Sequence, residues 1–112
     1  MIIASRRLTL RQGQAEYVVL VAIHAPIEGD RCWECRFEIG WPESAAEITV
    51  SAFDSVQALH LAMQRVAFEL YVSPHHEAGN LRWDKPGDGY GFPMAKSGYG
   101  DLIGFDREAQ VP

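Results

Sequence analysis

Arg31-Cys32-Trp33-Glu34-Cys35-Arg36-Phe37-Glu38-Ile39-Gly40-Trp41 is the stretch that decides the fold. Arg31, Trp33, Cys35, Phe37, Ile39 and Trp41 share one parity, and Cys32, Glu34, Arg36 and Glu38 share the other. Side chains alternate across an extended chain, so this period of two predicts a strand with aromatics toward a core and charges toward water. Pro42 ends it, having no N–H to give to a ladder.

The neighbouring segments read outward from this strand. Glu16 to His24 contains Tyr-Val-Val-Leu-Val-Ala-Ile, apolar at both parities, which predicts a central strand covered on both faces. Pro26 and Gly29-Asp30 mark the turn between the two. Residues 2–11 predict a first strand ending at Gln12-Gly13, and 47–53 a fourth, with Ile48, Val50 and Ala52 alternating against Glu47, Thr49 and Ser51. Asp54 then stands at an N-cap with Gln57 three residues on, the spacing of a capping box. Val56, Leu59, Met63, Val66 and Leu70 recur at three and four, widened by Leu61 and Phe68, until Ser73-Pro74 stops the helix. The fold class is therefore α+β: a four-stranded antiparallel meander (β-β-β-β-α) with one long helix on one face.

A chain of 112 residues holds one domain, 1–112, which divides into a body at 2–73 and a C-terminal arm at 75–112. The arm shows no sustained period and carries seven of the ten glycines, so an irregular, glycine- and aromatic-rich segment is expected there. Its aromatics argue against disorder. Trp83, Tyr90, Phe92 and Tyr99 are the candidate partner or ligand surface. The arm is expected to wrap the body, and either the arm or a second subunit to cover Val18, Leu20 and Ala22, which face away from the helix if Tyr17, Val19, Val21 and Ile23 face it.

Fifteen acids against ten bases give a net charge of −5, which repels a phosphate backbone and disfavours nucleic acid as a partner. Arg6, Arg7 and Arg11, with no acid before Glu16, read as a solvated strand face. No apolar run approaches the roughly 20 residues that span a bilayer, and no leader pattern opens the chain, so no membrane association and a cytoplasmic location are expected.

The motifs resolve into structural readings. Cys32-Trp33-Glu34-Cys35 matches C-x-x-C, yet an odd separation on a strand sends the thiols to opposite faces, Cys35 to the core and Cys32 to the surface. His75-His76 follows the helix and suits the negative end of its dipole. Gly87-x-Gly89-x-Gly91 resembles a phosphate loop only superficially, since Pro93 follows where a helix should open and Asp88 adds a negative charge. Asp84, Asp88, Asp101 and Asp106 lack calcium-loop spacing. No catalytic, cofactor-binding or metal residue is assigned, and no cofactor is expected.

Asp54-Ser55-Val56-Gln57-Ala58-Leu59-His60-Leu61-Ala62, after Trp33-x-Cys35 and before Gly91-Phe92-Pro93, resembles a family of small uncharacterised bacterial proteins over about residues 5–93. The resemblance implies a fold and no activity, and it carries over no catalytic residue. The expected function is a small non-enzymatic protein–protein interaction or regulatory module of the immunity-like kind. The alternative is a ligand-binding protein or enzyme with a site between sheet and arm. A homodimer built on an edge strand, 2–11 or 47–53, is a third possibility.

Overall fold

β1 (Ile2–Gln12) and β2 (Ala15–His24) form a hairpin about Gly13-Gln14, in register from Gln12↔Ala15 to Ala4↔Ile23. The computed structural model describes all residues, Met1–Pro112. β3 (Ile27–Glu28) and β4 (Trp33–Ile39) follow, then β5 (Ala46–Ala52). β5 takes the whole of one edge of β4, from Trp33↔Ala52 to Ile39↔Ala46. The other edge is shared, β2 pairing through Val21↔Ile39 and Ile23↔Phe37 and β3 through Glu28↔Trp33. β2 and β3 are thus one path along β4, interrupted where Pro26 cannot donate. β6 (Leu81–Arg82) adds to the free side of β1 through Thr9↔Arg82 and Leu10↔Leu81.

The sheet is therefore mixed with helix in an α+β fold as expected, but it has six antiparallel strands rather than four. The two extra strands are two-residue segments, too short to show a period. The outer edge of β5 is unpaired; that of β1 is partly covered by β6.

α1 (Ser55–Tyr71) carries the predicted cap: Asp54 Oδ1 accepts from the Gln57 amide at 2.7 Å, and Gln57 Oε1 accepts from the Phe53 amide at 2.8 Å. Its buried face is the predicted stripe only in part: Val66 and Leu70 hold, Leu59 and Met63 are partly buried, and the alanines take the place of Val56. Ala58, Ala62, Val66 and Leu70, spaced by four, are fully buried, whereas Val56 and Phe68 stand 75% and 49% exposed. The alanines decide this, because small side chains let the helix backbone settle close to the sheet and so turn the larger residues outward.

α1 lies on the β4 and β5 half of the sheet. A helix about 10–12 Å across cannot cover five strands spaced about 4.8 Å apart, so half the face needs another lid. The arm supplies it. Leu81, Tyr90, Phe92, Met94 and Leu102 join Leu8, Leu10, Val19, Val21, Phe37 and Val66 in one core. The expectation that the arm covers Val18 and Leu20 is thus corrected: the arm packs on the helix side, and those two remain 55% and 42% exposed on a bare face. Nor is β2 covered on both faces, although Ala22 is shielded by its neighbours.

The arm is also less irregular than predicted. Ser73 caps α2 (Pro74–Glu77), its Oγ accepting from the His76 amide at 3.1 Å and donating to the Leu70 carbonyl at 2.7 Å. A 3-10 helix (Lys96–Asp101) and α3 (Gly104–Gln110) follow.

Candidate functional site

Asp106 is the one buried charged residue of the chain, and it organises the arm. Its Oδ2 accepts from the Tyr71 hydroxyl at 2.7 Å and from the Tyr90 amide at 2.8 Å, and its Oδ1 from the Gly91 amide at 2.8 Å. A buried carboxylate is tolerable only when hydrogen-bonded, and three donors meet that need. Gly89 and Gly91 shape the loop with φ of +78° and +77°. A Cβ at Gly89 would collide with the Asp106 carboxylate, and one at Gly91 with the Trp83 ring. The phosphate-loop likeness of Gly87-x-Gly89-x-Gly91 therefore has a physical basis: the loop aims consecutive amides at an anion, and the chain itself provides that anion.

Tyrosine and histidine side chains surround the carboxylate. Tyr71 and Tyr90 meet edge to face with centroids 5.3 Å apart, and His76 lies 4.6 Å from the Tyr71 ring. Burial, then the hydrogen bond to Asp106, holds the Tyr71 phenol far above its ordinary range. Burial and the Asp106 charge do the same for Tyr90. Burial pulls His76 down, against the opposing charges of Glu77 and Asp101. The Tyr90 hydroxyl and His76 Nδ1 are hydrogen-bonded, and the raised phenol and lowered imidazole both favour Tyr90 as the donor in that pair.

Arg6 closes this cluster from the first strand. Its guanidinium carbon sits 3.7 Å from the Trp83 ring centroid and 4.8 Å from that of Phe92, and Nη1 donates to the Tyr90 carbonyl at 2.9 Å. Burial lowers its pKa while the Asp106 charge raises it. The reading of Arg6 as solvated is corrected by these contacts. Arg7 instead lines a cavity of about 620 Å³ with Trp83, Asp84, Lys85, Asp88 and Phe105, beside the Asp106 loop.

The four aromatics singled out in the sequence separate. Tyr90 and Phe92 are core residues, Tyr99 is partly buried against the core, and Trp83, 39% exposed, lines the cavity. Nothing in the sequence joins Asp106, Tyr71 and His76 to one another, because they converge across separations of up to 35 residues. His75 and His76 are not charges on the end of α1. They lie in α2, where His75 Nε2 meets Glu43 at 2.7 Å and stacks near Trp41. Cys35 is buried, its thiol raised by burial, and Cys32 is partly exposed, as the alternation predicted. No three His, Cys, Asp or Glu side chains are grouped to hold a metal ion. No helix is long and apolar enough to cross a membrane.

On the bare face, a polar chain runs across three strands. His24 Nε2 meets Glu38 Oε2 at 2.9 Å, Arg36 Nη2 meets His24 Nδ1 at 3.3 Å, and Arg36 Nη1 meets Glu47 Oε1 at 3.2 Å. Beside it lie the cross-strand pairs Arg7↔Leu20 and Thr9↔Val18. Arg7 and Arg11 make none of the ion pairs of the structure.

A protein-family model described as a domain of unknown function (DUF6968) matches residues 4–94. No curated protein and no solved structure matches the chain.

Proposed function

We propose, from the premise that this chain belongs to the DUF6968 family, a family of unknown function, that it is a small protein–protein interaction module working through the bare face of its sheet. One observation carries the reading: Val18 and Leu20 stand half exposed on a sheet face that neither helix nor arm covers. Apolar side chains grouped on an open face, rimmed by polar ones, mark a surface that another protein covers. The unpaired cations Arg7 and Arg11 beside it favour a partner segment with an apolar centre and acidic flanks. The module is regulatory rather than catalytic in this reading. A cytoplasmic setting in a bacterium is part of this reading.

The test replaces Val18 and Leu20 together by Asp in the full chain. Affinity capture from a native-host extract loses its partner with this variant, while thermal stability stays within a degree or two. Capture of the same protein by both forms would remove the bare face from the reading. Dissociation of a wild-type dimer by the variant would identify the partner as a second copy.

A second reading rests on the cavity between sheet edge and arm. A lining that holds both the cations Arg7 and Lys85 and the acids Asp84 and Asp88 suits a small zwitterionic ligand, with Trp83 as the stacking surface. Of the four aromatics, Trp83 is the one this reading uses there. A rise in melting temperature with an amino-acid panel, abolished by Trp83→Ala, tests it.

A further inference from the structure

We propose that the groove holding residues 102–111 is a recognition site for a helical peptide that presents a carboxylate and, four residues later, a carboxamide; α3 of this chain is the resident occupant. The inference is independent of the bare sheet face.

The contacts of α3 are those of a bound peptide. Asp106 and Gln110 lie one turn apart on the same side of the helix. Asp106 takes three donors from the body, the Tyr71 hydroxyl and the Tyr90 and Gly91 amides. The Gln110 amide works in both directions, its nitrogen donating to the Phe92 carbonyl at 2.9 Å and its oxygen accepting from the Met94 amide at 2.7 Å. Gln110 thus reads the 92–94 backbone as a neighbouring strand would, and Leu102 fills the groove below. The rest of the helix points to solvent, with Phe105 exposed along with Arg107, Glu108 and Ala109. Anchors at i and i+4 on one helical face, each hydrogen-bonded to the body, match the helix-in-groove mode of recognition.

The division between groove and occupant coincides with the extent of the family. Tyr71, Tyr90, Gly91, Phe92 and Met94 all lie within residues 4–94, whereas Asp106 and Gln110 lie beyond it. Within this chain, the segment that the family model covers holds the donors, and the acceptor lies past it. Buried donors demand an acceptor, and two amides aimed by a glycine turn together with a phenol hydroxyl specify an anion. The tether between groove and occupant is the 3-10 segment Lys96–Asp101, which has no side-chain cap and no buried residue. A ligand on so short a tether has a high effective concentration, so a peptide in trans competes only when the resident segment is disarmed.

The experiment titrates a fluorescent peptide of residues 100–112 into the full-length Asp106→Ala/Gln110→Ala chain and into the wild type. The peptide binds the disarmed chain at least tenfold tighter than the wild type, and a peptide with the Asp106→Ala change loses at least tenfold. A disarmed chain that keeps its circular dichroism and binds no peptide overturns the proposal. If that chain does not fold, a protease site placed between Ser97 and Gly98 of the wild type is cut after folding. Exchange of the severed segment by labelled peptide, weakened by Tyr71→Phe, supports recognition; a segment that excess peptide never displaces overturns it. A wild-type dimer that depends on Asp106 assigns the groove to a second copy and overturns the partner reading.

Discussion

The hydroxyl of Tyr71, in the last turn of α1, donates to the carboxylate of Asp106 at 2.7 Å across 35 residues of chain. This bond joins the helix of the body to the arm, and Asp106 is the buried charge on which the arm depends. Replacing Asp106 by Ala strands a phenol and two amides. The loss is about 3–5 kcal/mol, the range for breaking one side of a buried charged cluster. Tyr71→Phe removes one donor and costs about 1–2 kcal/mol. Urea denaturation of the two single variants and the double variant checks this, with the double less destabilised than the sum.

Gly89 and Gly13 separate steric from conformational strain. Both have positive φ, but a Cβ at Gly13 meets nothing within 4 Å, whereas one at Gly89 strikes Asp106. Gly13→Ala should cost about 1 kcal/mol, and Gly89→Ala about 3 kcal/mol or more, since it also displaces the carboxylate. Melting temperatures of the two variants, measured side by side, give the order.

Arg6→Lys is not a conservative change here. Lysine keeps the charge but loses the planar stack on Trp83 and Phe92, weakening the tie between β1 and the arm by about 1 kcal/mol. Limited proteolysis reads it directly, with faster cleavage between residues 84 and 100 in the variant and an unchanged rate within the body.

His76 sets a pH dependence. Burial lowers its folded-state pKa, so below the unfolded value of about 6.5 the unfolded chain binds a proton that the folded chain resists. Its contribution is complete above about pH 6.5 and is lost as pH falls from there toward the lowered folded value. Urea midpoints between pH 5 and 7.5 should rise with pH in the wild type. They should flatten in His76→Asn, whose side-chain oxygen replaces Nδ1 as the acceptor for Tyr90.

The two thiols should differ in rate. Cys32 is partly exposed and Cys35 fully buried with its thiol pKa raised, so a thiol-reactive dye modifies one group quickly and the second only on unfolding. Two fast reactions would mean that β4 opens in the native state.

Legibility followed range. β4 declared itself because Cys35, Phe37 and Ile39 alternate with Arg36 and Glu38 over consecutive residues, and the cap of α1 because Asp54 and Gln57 are three apart. Val66 and Leu70 of the α1 stripe are legible, but Val56 and Phe68 outrank Ala58 and Ala62 in hydrophobicity while close packing against a sheet selects the smaller side chains. The second lid of the sheet follows from widths that only an assembled sheet has. Asp106 looked like any surface acid, because its meaning lies in Tyr71, Tyr90 and Gly91, none of them near it in sequence.

The cradle also fixes an order of events. Chains emerge from the N-terminus, so β1 to β5 and α1 are complete while the acceptor for the Tyr71 hydroxyl has yet to be synthesised. The arm closes only once Asp106 and Gln110 have been made. α3 is joined to the body mainly through polar anchors and has little apolar burial of its own, so its docking depends on those few bonds. A pull applied through the residues after α3 therefore meets these polar anchors before it meets the sheet.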